Sequence, residues 1–151
     1  VRGTQSQRSE DSMTSSANMN FDLPDMHSML RDSVRKFAEG EIAPVARELD
    51  LKEKFSEDIT RNMGKLGLFG MVVPEAYGGH GLDYLAYAVA CEELARVDGS
   101  QAATITAHNS LGVGPLYYFG NEAQRKKYLP QLCTGDKLWA FGLTEPAAGS
   151  D

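Results

Sequence analysis

Cysteine, histidine and tryptophan are scarce: the chain has two, three and one of them respectively. Cys91 and Cys133 lie far apart, without the spacing of a metal site or of a secreted disulfide framework, so two free thiols in a reducing compartment are expected. His27, His80 and His108 occur singly, which supplies no metal-ligand pair at helical spacing and leaves them as surface or packing residues. Basic charge is also short, since the formal net charge is -6 and the longest basic run is Arg125-Lys126-Lys127, read as a solvated helix face. That excludes nucleic acid as a partner, because phosphates demand a basic face. Every apolar run is broken by Gly, Pro or charge well before the roughly 20 residues of a helical membrane span, so a water-soluble chain with no membrane span is expected.

What remains suits one compact domain, with 151 residues and 42% hydrophobic content. Residues 1–19 have almost nothing to bury and cannot offset the entropy of ordering. They read as a disordered tail, either a natural flexible lead or a cloning remnant, and they lack the apolar block of a secretory signal.

Met26, Leu30, Val34, Phe37, Ala38, Ile42, Val45 and Leu49 form one helical stripe. Asp25 is placed at its cap, and a bend is expected where Pro44 removes the bond to the carbonyl of Gly40. Ser56 should cap a second helix that buries Ile59, Met63 and Leu66 and stops at Gly67. The glycines and Pro74 between Leu68 and Leu82 predict an extended connection with tight turns. Asp83 should cap a third helix, apolar over a wide arc, with Leu85, Ala88 and Val89 inward. Asp98-Gly99 should end it and Ser100 begin another, carrying the small residues Ala102, Ala103, Ala107 and Ser110. After Gly112 and Gly114 comes a short apolar segment, Leu116 to Phe119. Asn121 and Gln124 form a capping box for a last helix, which Pro130 should close. From Lys137 to Thr144 the pattern alternates, with Trp139, Phe141 and Leu143 on one side, as in a strand. A lone strand leaves its ladder groups unpaired, so it pairs either with another copy or, the favoured reading, with the remainder of a sheet in sequence beyond Asp151.

Searches for familiar catalytic patterns give little. Gly78, Gly79 and Gly81 fail the dinucleotide fingerprint because Tyr84 takes the third glycine's place. His108 replaces the first glycine of a nucleophile elbow, and the stretch reads as helix. Glu92 and Glu93 lie within one helical turn of Arg96, so a structural ion pair accounts for them. Phe141 to Ser150 is more informative: Thr144 ends the alternating segment, and the following turn offers hydroxyls and backbone N–H groups that glycine lets a ligand approach. The polar edge of a flat ring or a phosphate would suit such a surface.

The run Phe141-Gly142-Leu143-Thr144-Glu145-Pro146-Ala147-Ala148-Gly149-Ser150-Asp151 resembles the flavin-binding signature of acyl-CoA dehydrogenases, with Ala147 where the family often has Gly. Pro74 to Gly81 is similar to the family's loop after its second helix, and Asn109-Ser110-Leu111-Gly112 to its pocket helix. Ile42-Ala43-Pro44-Val45-Ala46 and Lys127-Tyr128-Leu129-Pro130 also fit. The resemblance covers about Asn20 to Asp151 in one unbroken order.

It implies an all-α amino-terminal helical bundle over residues 20–135. Residues 136–151 would begin a β-barrel-like middle domain cut short after its first strand. It implies FAD held by Phe141, Leu143, Thr144, Gly149 and Ser150, acyl-CoA met by Ser150 near its pantetheine arm, and an acyl pocket walled by the helix carrying Ala103 and Ala107. The implied reaction is α,β-dehydrogenation to a trans-2-enoyl-CoA, with electrons passing to an electron-transferring flavoprotein. The catalytic base, a glutamate of the family's third domain, matches no residue here; neither Glu92, Glu93 nor Glu145 is assigned that part. A homotetramer in the bacterial cytoplasm, or alternatively the mitochondrial matrix, is the implied setting. An oxygen-using acyl-CoA oxidase relative and a non-catalytic helical interaction module are the rival readings.

Overall fold

A computed structural model describes residues 21–149. The disordered-tail reading of residues 1–19 therefore lies outside the described residues. The helices are α1 (Asp25–Phe37), α2 (Ala43–Leu51), α3 (Glu57–Lys65), α4 (Tyr84–Ala95), α5 (Gly99–Thr106), α6 (Gly114–Phe119) and α7 (Glu122–Cys133). Two π-helical turns join them, Ala38–Ile42 between α1 and α2 and Ala107–Val113 between α5 and α6. Each precedes a proline in the first turn of the next helix, Pro44 and Pro115. Proline has no N–H to give and its ring crowds the carbonyl four residues back, so the ladder widens by one residue and continues. The expected bend at Pro44 takes this form.

Capping follows local chemistry closely. The Ser56 hydroxyl accepts from Ile59 N at 3.2 Å, and Asp83 Oδ1 accepts from Ala86 N at 2.8 Å. Asn121 and Gln124 exchange both bonds of the capping box, at 2.8 and 2.9 Å. Two caps differ from expectation by a residue or two. Pro24 occupies the cap position of α1, so Asp25 stands in the first turn, where its charge still faces the helix dipole. Asp98 rather than Ser100 caps α5, its Oδ1 accepting from Ser100 N at 2.8 Å.

α4 lies between α1 and α5. Its inward face is Ala86, Val89, Ala90, Glu93 and Leu94, while Leu85 is 46% exposed and Ala88 is exposed. A helix apolar around most of its circumference has no face that periodicity can select, and packing chose the alanines, which let neighbouring helices approach. The main core adds Val34, Ile42, Met63, Phe69 and Ile105; a smaller cluster of Val73, Val113, Leu129, Leu132 and Cys133 sits beneath α7. Residues 66–73 are turns and bends that feed the core, with Leu68, Phe69, Met71 and Val73 buried, so the expected tight turns are present while the expected extended path is not.

Three further expectations are corrected. Gly112 and Gly114 do not interrupt the chain, which stays helical from Gly99 to Phe119. Pro130 lies inside α7 instead of closing it, and Gly135 (φ 78°) follows shortly after the end at Cys133. Residues 137–144 form no strand: among the described residues the β pairing is a single bridge between Glu145 and Ala148. Alternation supplies a strand's side-chain pattern, but a ladder also requires a partner backbone.

Candidate functional site

The helix from Gly99 to Phe119 presents two dissimilar faces. Thr104, Thr106 and Ser110 turn their hydroxyls onto the carbonyls four residues back, at 3.0, 2.8 and 2.6 Å, which satisfies polar groups within the helix itself. Ala103, Ala107 and Leu111, spaced by four, lie on the exposed side. Ile105, His108 and Asn109 are buried. Asn109 Nδ2 donates to Leu68 O (2.7 Å) and Ile105 O (2.9 Å), tying the turn after α3 to the helix.

His108 is 2% exposed and meets the ring of Phe69 edge-on at 5.0 Å. Its Nε2 donates to Leu132 O at 3.0 Å, and its Nδ1 accepts from the backbone N–H of Trp139 at 3.1 Å. These two contacts require a neutral ring with its proton on Nε2. Burial pushes its pKa below the ordinary 6.5. The carbonyl of Trp139 lies against Gly112, where an added Cβ would stand 2.6 Å from that oxygen. The segment after α7 is thus laid against the π turn, with close backbone approach permitted by glycine.

Between the segment and the helix lies a cavity of about 360 Å³, lined by Phe55, Thr104, Ala107, His108, Leu111 and Leu138 to Phe141. A second, of about 510 Å³, lies on the other side of Leu111 and shares Trp139, Ala140 and Phe141 as wall. Such a place, apolar with few polar groups, suits an extended hydrophobic ligand. Among the described residues no group of three or more His, Cys, Asp or Glu could hold a metal, and no helix is long and apolar enough to cross a membrane.

Residues 24–136 match the family model for the acyl-CoA dehydrogenase N-terminal domain. The chain belongs to the acyl-CoA dehydrogenase family. An acyl-CoA dehydrogenase of Bacillus subtilis (strain 168) is 46% identical over 123 residues, covering 82% of this chain and 32% of the relative. Among solved structures, one reported as the electron transferring flavoprotein of Acidaminococcus fermentans contains a chain that superposes with TM-score 0.83 at 42% identity, covering 87% of this chain and 35% of that one. An acyl-CoA dehydrogenase complexed with FAD from Bacillus anthracis gives TM-score 0.77 at 42% identity, over 86% of this chain and 23% of that one. The chain spans about a third of the length of the curated relatives it matches.

The structure brings some of the expected site residues together. Ala107 and Phe141 line the same cavity. Ala103 is exposed one helical turn earlier, outside that lining. Leu143, Thr144 and Gly149 are exposed beyond it, with Glu145 N to Ala148 O (2.9 Å) and Ala148 N to Glu145 O (3.1 Å) closing the turn between them. Ser150 lies outside the described residues. On the same helix Ile105 is core and Leu111 is 52% exposed at the cavity. The contacts of His108 and Gly112 with Trp139 have no signal along the sequence, because Trp139 is remote from both.

The carboxylates and thiols take structural places. Glu93, not Glu92, is the ion-paired residue, and its first partner is Arg35 of α1 at 2.7 and 2.9 Å, with Arg96 at 3.1 Å. Arg35 chiefly holds the Glu93 carboxyl below the usual carboxylate range, which makes it a poor proton acceptor. Cys91 and Cys133 are free thiols, and burial pushes Cys133 up to about 11. A pH dependence follows from His108. Because folding lowers its pKa, the unfolded chain binds the proton more tightly. Stability is therefore full above 6.5 and falls as pH drops from 6.5 toward the folded-state value. Urea midpoints measured from pH 7.5 to 5 should decline, and His108→Gln should flatten that decline.

Proposed function

We propose that this chain is the helical amino-terminal part of an FAD-dependent acyl-CoA dehydrogenase that converts an acyl-CoA thioester to its trans-2-enoyl-CoA. The observation carrying this reading is the cavity between the small-residue face at Ala107 and the segment Leu138 to Phe141, which leads directly into Leu143 and Thr144. Ala107 leaves room for an acyl chain, while Leu111, Trp139 and Phe141 offer it apolar walls that exclude water.

The same segment suits a flavin edge. Among the described residues, 140–144 make no hydrogen bond, so their N–H and C=O groups and the Thr144 hydroxyl stand available to a polar ring rim. Phe141, 54% exposed, and Leu143, 73% exposed, add apolar surface beside them. FAD, when bound, supplies acceptance of the hydride from the β-carbon. The residues of this chain hold and orient: Thr144 and its neighbouring backbone face the flavin, Gly149 allows close approach, and Ser150 meets the acyl-CoA near its pantetheine arm. Residues 136–151 are read as the opening of the middle β domain. Removal of the α-proton belongs to a glutamate that none of these residues matches. An electron-transferring flavoprotein is the proposed electron acceptor, and a homotetramer the proposed assembly.

In the holoenzyme containing this chain, Thr144→Ala should weaken FAD retention about fivefold, the equivalent of one hydrogen bond of roughly 1 kcal/mol. Equilibrium dialysis against FAD measures it. The parent protein should be yellow and bleach on anaerobic addition of an acyl-CoA; a colourless parent reconstituted with FAD would end this reading.

A further inference from the structure

Residues 140–144 make no hydrogen bond among the described residues; the backbone before them is held at Lys137, whose N–H donates to Gln131 O of α7 at 3.1 Å, and last at Trp139, from the π turn. Its N–H donates to His108 Nδ1 at 3.1 Å, its carbonyl rests on Gly112, and its indole meets Tyr128 edge-on at 5.4 Å. Packing alone does not call for an imidazole here, since an aliphatic side chain could also fill space against Phe69. The chain instead buries a polar ring to 2% exposure, and that costs free energy unless both nitrogens are used. Both are used: Nε2 donates to Leu132 O at 3.0 Å on α7, and Nδ1 accepts from the segment that follows α7.

We infer that His108 is a positioning residue whose Nδ1 holds Trp139 against the π turn and so sets where Phe141 to Thr144 meet the flavin edge. The flavin half of this inference rests on the function proposed above; the clamp itself needs no flavin. His108 acts through Trp139, two residues before Phe141, and its neutral Nε2–H form is the one that serves. A proton on Nδ1 would set two donors face to face and release the segment.

Trp139 is the single tryptophan of the sequence, so its fluorescence reports this contact directly. His108→Asn keeps an acceptor near the Nδ1 position. His108→Gln reaches the Nε2 position, keeps a donor for Leu132 and offers Trp139 no acceptor. With helical circular dichroism unchanged, the Gln variant should shift Trp139 emission to the red and lower its anisotropy, while the Asn variant keeps the parent spectrum. Equal responses in the two variants, no response in either, or a response confined to Asn would overturn the clamp. Should a variant fail to fold, the unsubstituted chain decides: an across-bond 15N–15N coupling between the Trp139 amide and His108 Nδ1 is expected, and its absence, or a proton on Nδ1, overturns the inference. In the holoenzyme, His108→Gln should raise the FAD dissociation constant about tenfold and His108→Asn should restore it. A Trp139 response without any change in FAD retention would overturn the positioning role. A parent that binds no FAD would overturn both the proposed function and the flavin half of the inference, leaving the clamp to be judged by fluorescence.

Discussion

Phe69→Ala is expected to lower the unfolding free energy by about 3–5 kcal/mol, read as a lower urea midpoint at unchanged slope. Phe69 is fully buried in the turn that follows α3, and its ring is the wall against which His108 packs at 5.0 Å. Opposite lies Gly135, where an added Cβ would stand 2.5 Å from the Phe69 ring, so the residues after α7 close directly onto this side chain. Next to it, Gly70 abuts Cys133 so closely that a Cβ would meet the Cys133 Cβ at 2.5 Å. With so little slack around it, the cavity left by truncation cannot collapse without moving the end of α7, and the full cavity cost applies. Domains of this kind have roughly 5–15 kcal/mol of stability in total, so the variant should be partly unfolded at mild denaturant. A loss under about 1 kcal/mol would show that the turn relaxes into the space.

In the holoenzyme, Ala107→Phe is expected to act the opposite way, leaving the fold intact and impairing the proposed dehydrogenation. Ala107 is exposed on the helix and lines the cavity of about 360 Å³ with Leu111 and Phe141, so a larger side chain displaces no core atom. If the acyl chain occupies that cavity, the added ring contests the same volume at a cost of roughly 1–3 kcal/mol, and kcat/KM for the acyl-CoA should fall about 10- to 200-fold. The melting temperature should hold within the small range of surface substitutions. The decisive comparison is with Ala103→Phe, one turn earlier and outside the lining, which should cost far less. Equal losses from both variants would show that the acyl chain is not confined to this cavity and runs further along the same face of the helix.

The readable parts of the fold were those that depend on neighbours along the chain. Ser56, Asp83 and the Asn121-Gln124 pair cap the helices as their chemistry predicts, since a capping bond joins residues two or three apart and tertiary packing scarcely enters. Misreadings cluster where one local rule meets another. Pro130, Gly112 and Gly114 all disfavour helix locally, yet each lies within a continuing helix, because α7 keeps its packed Leu129 and Leu132 and the π turn carries the chain on into α6. Leu85 was assigned inward and lies outward for a different reason: on a helix apolar nearly all round, small alanines win the contact face by allowing α1 and α5 to come close.

For the site, the order of motifs from Ile42 to Asp151 was enough to point to the acyl-CoA dehydrogenase family, and residues 24–136 match its N-terminal model. The order of the family's motifs, most helix starts and the four-residue spacing of Ala103, Ala107 and Leu111 follow from the sequence alone, because they depend only on neighbours along the chain; that this row is exposed is decided by packing. Which groups face one another across the fold does not. Glu93 meets Arg35 across 58 residues and His108 meets Trp139 across 31, pairs created only when α1 crosses α4 and the chain after α7 folds back over the π turn. Spacing along one helix cannot encode the angle at which another helix crosses it; that angle is set by the shapes of the buried side chains, and with it the place where the proposed flavin-facing segment comes to rest.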